Sequence, residues 1–356
     1  MRSVILKDRR LLAALAWRAA KWHLRYIFTK RPSPLACGLY VTSRCNFRCN
    51  FCNIWRKKPS LTLPLSKARD IIDGLSGLGC FYFSISGGEP LLYEDIFELL
   101  EYARKSRLRY IHMVTNGYLL DADKARRLNK TGINEVSISI DGTERIHDKN
   151  RGVPGAYGRA IQAIENLKTH APRITIVLNA IFSPEDPGEC LHIVDLARRF
   201  DIYAKVQPLN QHPAFNEEDN AVISYRNISP QRIKETIARL RREPRITNSR
   251  AFLDNIYNFF CDRDRLILKN SLCIFGYHHM EISEDGYVFP CLEGLSWKNG
   301  FSVTTGMKDL LDSAGYRHCL EELKRCRGCQ RNYYICYYEP RIAFPIHNFA
   351  RFALPL

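Results

Sequence analysis

Residues 37–52, CGLYVTSRCNFRCNFC, join a short apolar run to three closely spaced cysteines. The apolar run at 37–43 predicts a buried parallel strand. Cys45, Cys49 and Cys52 follow it directly, at spacings of four and three residues. The loop after a parallel strand is where a barrel carries its catalytic groups. This stretch therefore indicates the fold and the position of the site together.

Five more apolar runs predict buried parallel strands at 80–86, 110–116, 135–140, 174–182 and 203–209. Helical patterns lie between them, near 66–77, 94–106, 121–131, 157–169 and 188–200. Six strand-then-helix units imply a parallel sheet wound right-handedly. Because six is fewer than the eight units of a closed barrel, we expect an α/β fold with an open, partial (β/α)6 TIM-like barrel. Its site should lie at the C-terminal ends of the strands.

Composition bounds the class of protein. The 356 residues are 46% hydrophobic and 25% charged, which is typical of a globular chain with one large domain and a small appendage. The formal net charge of +16 suits nucleic acid, an anionic membrane surface or an acidic small molecule. The basic N-terminus lacks a signal-peptide core, and no run reaches the roughly 18–20 apolar residues of a membrane span. We therefore expect a cytoplasmic protein, in which the 13 cysteines serve metals or catalysis more often than disulfides.

The pattern changes at both ends of the predicted barrel. Residues 8–28 predict an amphipathic basic helix, and 229–243 and 249–260 predict two further helices. Glu284-Asp285-Gly286 is typical of a hairpin turn within a cysteine-rich tail. We expect five segments: a basic helix at 1–35, the barrel at 36–228, a helical connection at 229–268, a cysteine-rich domain at 269–340, and an apolar tail at 341–356.

Three thiolates on one short loop can hold three irons of a [4Fe–4S] cluster, which leaves the fourth iron open to an external ligand. A zinc site completed by a distant residue, or buried core cysteines, would give the same spacing. Cys45-x3-Cys49-x2-Cys52, with Phe51 before the last cysteine, resembles the signature of the radical S-adenosylmethionine (radical SAM) superfamily. In that superfamily the amino and carboxylate groups of SAM chelate the open iron.

Further stretches resemble the superfamily's SAM-binding segments. SGGEP, at 86–90, resembles the GGEP motif that receives the SAM amino group, with glycines for close backbone approach and a carboxylate for an ammonium. SISIDGTERIHDKNRG, at 137–152, resembles the SAM-contacting strand and loop of the peptide-modifying and sulfatase-maturing branch. The resemblance implies SAM contacts for Phe51, Gly87, Gly88, Glu89, Pro90, Asn116, Ser139, Arg151 and Asn179. An ordinary strand-to-helix turn, or a solvated arginine, would explain single members of this set.

The resemblance implies a reductive chemistry. An electron donor such as flavodoxin or ferredoxin supplies the cluster with an electron, and SAM is cleaved to methionine and a 5′-deoxyadenosyl radical. That radical removes a hydrogen atom from the substrate, while the protein orients the reactants and excludes water.

The tail resembles the twitch form of the SPASM appendage, which binds one auxiliary [4Fe–4S] cluster. The resemblance assigns its ligands as Cys273, Cys291, Cys326 and Cys329, and leaves Cys336 as a spare. Structural zinc is the alternative for four cysteines on a hairpin and a CxxC. In sulfatase-maturing relatives, an aspartate that acts as a base directly follows the cysteine matched here by Cys291. This chain has Leu292 and then Glu293 at these positions.

Three substrate classes remain open. Many SPASM enzymes act on peptides and carry a leader-binding domain of about eighty residues, but only about 36 residues precede the barrel, so we expect no fused domain of that kind. Soluble sugars and aminocyclitols suit a twitch enzyme. We favour a lipid or lipid-linked substrate at the inner face of a membrane, because the basic helix carries Trp17 and Trp22 and the tail is aromatic. Both ends could instead simply pack on the barrel. A non-catalytic, RNA-binding iron–sulfur protein is a remote alternative, and nucleic acid is not favoured.

Overall fold

The computed structural model describes residues 8–210, 227–266, 272–291, 300–303, 306–326 and 333–343. Six parallel strands form the barrel: β1 (Ala36–Tyr40), β2 (Tyr82–Ser86), β3 (Tyr110–Thr115), β4 (Glu135–Ser139), β5 (Thr175–Phe182) and β6 (Tyr203–Pro208). They pair in sequence order, each with the next. The expected α/β fold with an open barrel of six strand–helix units is confirmed.

The predicted helices lie between the strands, as α2 (Leu65–Leu78), α3 (Ile96–Lys105), α4 (Ala122–Thr131), α6 (Ala156–His170) and α7 (His192–Phe200). Between the barrel strands the sequence pattern missed one α-helix, α5 (Glu144–Arg151), which is polar and only two turns long. Hydrophobic periodicity needs a longer apolar stripe, so it could not find α5. The strands bury one row of side chains, such as Leu39 and Ile85, against these helices.

The barrel sheet continues past its first strand. α8 (Pro230–Arg242), α9 (Arg250–Cys261) and α10 (Phe275–His278) lead to β7 (His279–Ile282), which pairs parallel to β1. β8 (Tyr287–Phe289) and β9 (Phe301–Ser302) extend it antiparallel. The chain turns between β7 and β8 at Gly286, whose φ of +83° lies in the left-handed region that glycine tolerates best. α11 (Met307–Asp312), α12 (Ala314–Lys324) and α13 (Ile335–Ala343) complete the described part.

The N-terminal helix α1 (Arg9–Thr29) lies against the barrel. Trp22 is buried, and its indole N–H donates to the carbonyl of Tyr277 over 3.1 Å. Leu12 and Leu15 contact Phe81 and Tyr110, which stand at the N-terminal ends of β2 and β3. One face of α1 therefore packs on the barrel, at the end opposite the predicted site.

Candidate functional site

The cluster loop, residues 45–52, is held to the end of α5 by its backbone. The N–H of Arg48 donates to the carbonyl of Arg151 over 3.1 Å, and the N–H of Asn50 donates to the carbonyl of Asn150 over 3.0 Å. Gly152 follows with φ at +67°, and a Cβ there would stand 2.7 Å from the carbonyl oxygen of Arg48. The shape of the loop therefore depends on a segment a hundred residues away in sequence.

The SGGEP segment contacts the same loop from the other side. The N–H of Gly88 donates to the carbonyl of Thr42 over 2.7 Å, and the N–H of Glu89 donates to the carbonyl of Arg44 over 2.8 Å. A Cβ at Gly88 would lie 2.1 Å from the carbonyl oxygen of Arg44, and one at Gly87 would lie 2.4 Å from that of Thr42. The two glycines thus allow two protein backbones to meet, whereas the sequence suggested close approach to a ligand.

One cavity brings the predicted residues together at the C-terminal ends of the strands. It is lined by Cys45, Phe47, Cys49, Phe51, Cys52, Ile54, Trp55, Ser86, Gly87, Gly88, Glu89, Val114, Thr115, Asn116, Ser139 and Arg151. Every residue predicted for the cluster and for SAM lines it except Pro90 and Asn179. Pro90 is buried at the start of a short 3₁₀ helix. Asn179 lies in β5, beside Ser139 in the sheet.

Glu89 ties the strand ends to one another. Its buried carboxylate accepts from the hydroxyl of Thr115 at 2.6 Å and from the backbone N–H groups of Asn116 at 2.8 Å and Leu91 at 3.1 Å. Burial raises the pKa of Glu89, and these three donors oppose the shift. A carboxylate has about four acceptor positions, two on each oxygen. Oε2 of Glu89 accepts from one donor here, so it retains one position for a ligand.

Arg151 is held by a carboxylate that sequence reasoning did not assign. Its Nε and Nη2 donate to the two oxygens of Asp141, both over 2.7 Å. Its Nη1 lies 3.9 Å from the sulfur of Cys49, and the guanidinium stands 5.1 Å from the ring centre of Phe51. Burial by itself would lower the pKa of Arg151, but Asp141 and Cys49 outweigh it and raise the pKa. Arg151 thus stays charged and fixed in orientation beside the loop.

The three loop cysteines fit an iron–sulfur cluster by their chemistry. Burial raises the pKa of all three, to about 12 for Cys45 and to about 11 for Cys52, while Arg151 opposes the shift at Cys49. Desolvated thiols of this kind bind metal as thiolates, and the metal then supplies the compensating charge. Within the described residues, no three His, Cys, Asp or Glu side chains converge closely enough to hold a single metal ion. A cubane needs no such convergence, because each thiolate binds a different iron.

Two polar residues behind the cavity lining were also not predicted. Asn46, within the cluster loop, accepts from the side-chain amide of Asn116 over 2.8 Å, so Asn116 contacts the loop itself. Asp141 stands two residues beyond the end of β4, inside the SISIDG segment. The position of Asp141 just past a strand end could have indicated a site residue, but its pairing with Arg151 could be identified only from the fold.

The cysteines predicted for a second cluster are only partly described. Cys273 and Cys291 are buried, and Cys326 is half-buried. The N–H of Cys273 donates to the carbonyl of Lys324 over 3.1 Å, which brings Cys273 close to Cys326. Cys329, Leu292, Glu293 and the aromatic tail from residue 344 lie outside the described residues.

Comparison with known proteins decides the family. Residues 39–197 match the model of the Radical SAM superfamily. The chain carries a radical SAM domain. The superfamily predicted from the cysteine loop is thus confirmed, and with it the expectation of a radical SAM enzyme, since curated relatives of this domain are named as synthases and maturases.

Two relatives illustrate how far the similarity reaches. Fe-coproporphyrin III synthase of Methanosarcina barkeri is 33% identical over 38% of this chain and 34% of its own length. Mycofactocin maturase MftC of Mycobacterium tuberculosis is 34% identical over 50% of this chain and 45% of its own length. The chain thus matches less than half the length of these curated relatives.

Solved structures share the fold over most of the chain. SuiB of Streptococcus suis, bound to the precursor peptide SuiA, superposes with a TM-score of 0.62 at 18% identity, over 88% of this chain and 74% of its own. The enzyme anSMEcpe with bound AdoMet gives a TM-score of 0.61 at 19% identity, over 90% and 98% of the two chains. The radical SAM domain implies a [4Fe–4S] cluster and SAM as its cofactors.

Proposed function

We propose that Cys45, Cys49 and Cys52 bind a [4Fe–4S] cluster, and that SAM occupies the rest of the cavity at the iron they leave open. The observation that carries the proposal is the shared cavity, to which four separate segments contribute thiols, an acidic group, a hydroxyl and a guanidinium. When bound, cluster and SAM together supply a 5′-deoxyadenosyl radical that removes a hydrogen atom from the substrate.

The chain's own groups bind and orient SAM in this proposal. The open acceptor position of Glu89 suits the SAM ammonium, and Nη1 of Arg151 suits its carboxylate, since charge-assisted hydrogen bonds are the stronger kind. Ser139 adds a hydroxyl on the same wall. Asn179 stands one strand away from Ser139, outside the cavity lining, so we assign it to the substrate side. Pro90 acts by starting the turn that positions Glu89.

The test is reductive SAM cleavage by the full chain after anaerobic reconstitution. We expect 5′-deoxyadenosine and methionine from the wild type with dithionite or a reduced flavodoxin, and none from the triple variant C45A/C49A/C52A. The matched control is Cys261→Ala, which removes a half-buried thiol at the end of α9, away from the cavity. Absence of product from a wild type that has taken up iron would contradict the proposal.

We also propose one auxiliary [4Fe–4S] cluster at Cys273, Cys291, Cys326 and Cys329. The hydrogen bond from Cys273 to Lys324, at the end of α12, supports it, because it brings Cys273 near Cys326. Iron and zinc analysis decides between a second cluster and structural zinc. About eight irons per chain supports the cluster, whereas about four irons with one zinc excludes it.

The substrate, we propose, is presented at a membrane surface. The face of α1 away from the barrel exposes Trp17 by 72% and Phe28 by 80%, with Leu24 and Ile27 between them, while Trp22 anchors the opposite face. An apolar strip on a basic helix is typical of interfacial binding. None of the described helices is long and apolar enough to cross a membrane, so the contact proposed is peripheral.

Vesicle flotation tests this part separately. Wild type should float with anionic vesicles at low and high salt, because apolar insertion survives charge screening. The double variant W17A/F28A, both of whose side chains are exposed, should stay unbound while keeping its fold. Loss of wild-type binding at modest salt would favour the second candidate, peptide modification, which the name of the related mycofactocin maturase supports.

A further inference from the structure

On three barrel strands, inward-facing side chains are more exposed than outward-facing ones. Along β2, β5 and β6 the residues that face the surrounding helices are buried, among them Phe83, Leu178 and Val206. Alternate residues point the other way and stay partly exposed, among them Ser84 and Asn179. Since side chains alternate across a strand, the exposed set faces the inside of the barrel. On these strands the inner face therefore carries polar side chains that a ligand can reach.

One lateral row of this interior joins the SAM cavity to a lysine. Ser139 on β4 pairs with Asn179 on β5, and Asn179 pairs with Lys205 on β6. Adjacent strands are about 4.8 Å apart, so the backbone of Lys205 lies roughly 10 Å across the sheet from that of Ser139. Its side chain reaches back to β4, where Nζ contacts Ser137, two residues before Ser139. Ser139 lines the cavity assigned to SAM. A molecule resting on this row would place one end beside Lys205 and the other beside that cavity.

The ammonium of Lys205 has contacts within the protein but keeps hydrogen-bond donors for a ligand. Its Nζ donates to the hydroxyl of Ser137 over 3.0 Å and lies 3.8 Å from the carboxylate of Glu135. Glu135 is satisfied from elsewhere, since it accepts from the hydroxyl of Tyr110 over 2.6 Å. Because an ammonium carries three donors, Lys205 retains capacity for a ligand.

The charged group most exposed to a ligand at this site is the ammonium of Lys205, not a carboxylate. The side chain of Lys205 is 15% exposed, whereas that of Glu135 is 1% exposed behind it. Glu281, a second acidic residue on the inner face of the sheet, is 8% exposed and is paired with His279 over 2.8 Å. A molecule in the barrel thus meets the ammonium before it meets either carboxylate.

We infer that the row Ser139–Asn179–Lys205 is the substrate site, and that Lys205 binds an anionic group of the substrate, a carboxylate or a phosphate. The inference rests on the function proposed for the adjoining cavity and names the class of substrate. The anionic end would lie at the ammonium beside Ser137, and the hydrogen to be abstracted would lie toward Ser139, at the C-terminal end of the same strand. The start of α13 packs against β6 beside this site. The N–H of Ile335 donates to the side chain of Gln207, two residues beyond Lys205, over 2.8 Å.

Calorimetric titration of the reconstituted full chain with simple anions tests the inference. The probes are inorganic phosphate and acetate, each against chloride at equal ionic strength. We expect at least one probe to bind the wild type in preference to chloride, and Lys205→Met to weaken that binding about tenfold or more, as loss of a charge-assisted contact does. Lys168→Met is the matched control, since it removes an equal charge from α6 outside the barrel, and it should change binding less than about twofold.

The outcomes separate the sources of the anion. Selective phosphate binding indicates a phosphate-bearing substrate such as a lipid-linked one, and selective acetate binding indicates a carboxylic acid or acidic peptide. Equal affinity in wild type and Lys205→Met, or no preference of the wild type over chloride, overturns the inference. If Lys205→Met does not fold, cyanate labelling of wild type replaces it, and phosphate or acetate should protect Lys205 from carbamylation. These measurements need no SAM cleavage, so failure of that reaction would count only against the proposed function.

Discussion

The pair of Asp141 and Arg151 offers the sharpest test of how the site is held. The side chain of Asp141 is fully buried, and that of Arg151 is 10% exposed. Removing one partner of a buried ion pair strands the other charge, which typically costs about 3–5 kcal/mol. We expect Asp141→Ala to lower the free energy of unfolding by that amount, because Arg151 then lies beside the cluster loop without its counter-ion.

The assay is urea unfolding of the cluster-free chain under reducing conditions, followed by tryptophan fluorescence. The matched control is Asp123→Ala, which breaks an Arg–Asp pair on α4 whose two side chains are largely exposed. Exposed pairs contribute about 0–1 kcal/mol, so this change should be small. The double variant D141A/R151M removes both charges and should recover stability relative to D141A. A double variant less stable than D141A would refute the stranded-charge reasoning.

Three further predictions concern other parts of the chain. Gly88→Ala should lower iron uptake on reconstitution, because its Cβ would overlap a backbone carbonyl, whereas Gly158→Ala in open space should leave uptake unchanged and add about 0.5–1 kcal/mol of stability. Trp22→Ala should cost about 3–5 kcal/mol in urea unfolding, and Trp17→Ala less than about 0.5 kcal/mol, since only the first is buried. Burial lowers the pKa of His112 to about 3, so the unfolded chain binds the extra proton and stability should fall as pH drops from about 6.5 toward 3. Replacing His112 by Asn should flatten the decline measured between pH 6.5 and 5, and an unchanged slope would contradict a buried neutral imidazole.

Most of the barrel and the cluster loop could be predicted from local sequence. Buried parallel strands leave continuous apolar runs, and a cluster loop leaves cysteines at short spacings. Each of these patterns is contained in a stretch of about ten residues, so it can be recognised from local sequence. The polar helix α5 left no such signal, although its C-terminal end is what holds the cluster loop. The role of Gly88 also differed from expectation, since the carbonyl it approaches belongs to Arg44, on another loop.

The amino-acid sequence by itself determined the superfamily, the positions of the barrel strands along the chain and the identity of the three loop thiols, because each of these depends on residues adjacent along the chain. The tertiary structure alone decided which groups meet: Asp141 with Arg151, Asn46 with Asn116, and Lys205 with Ser137 across the barrel. Each pair joins residues from different elements of the fold, so its geometry exists only once the sheet has formed and its helices and loops have packed around it.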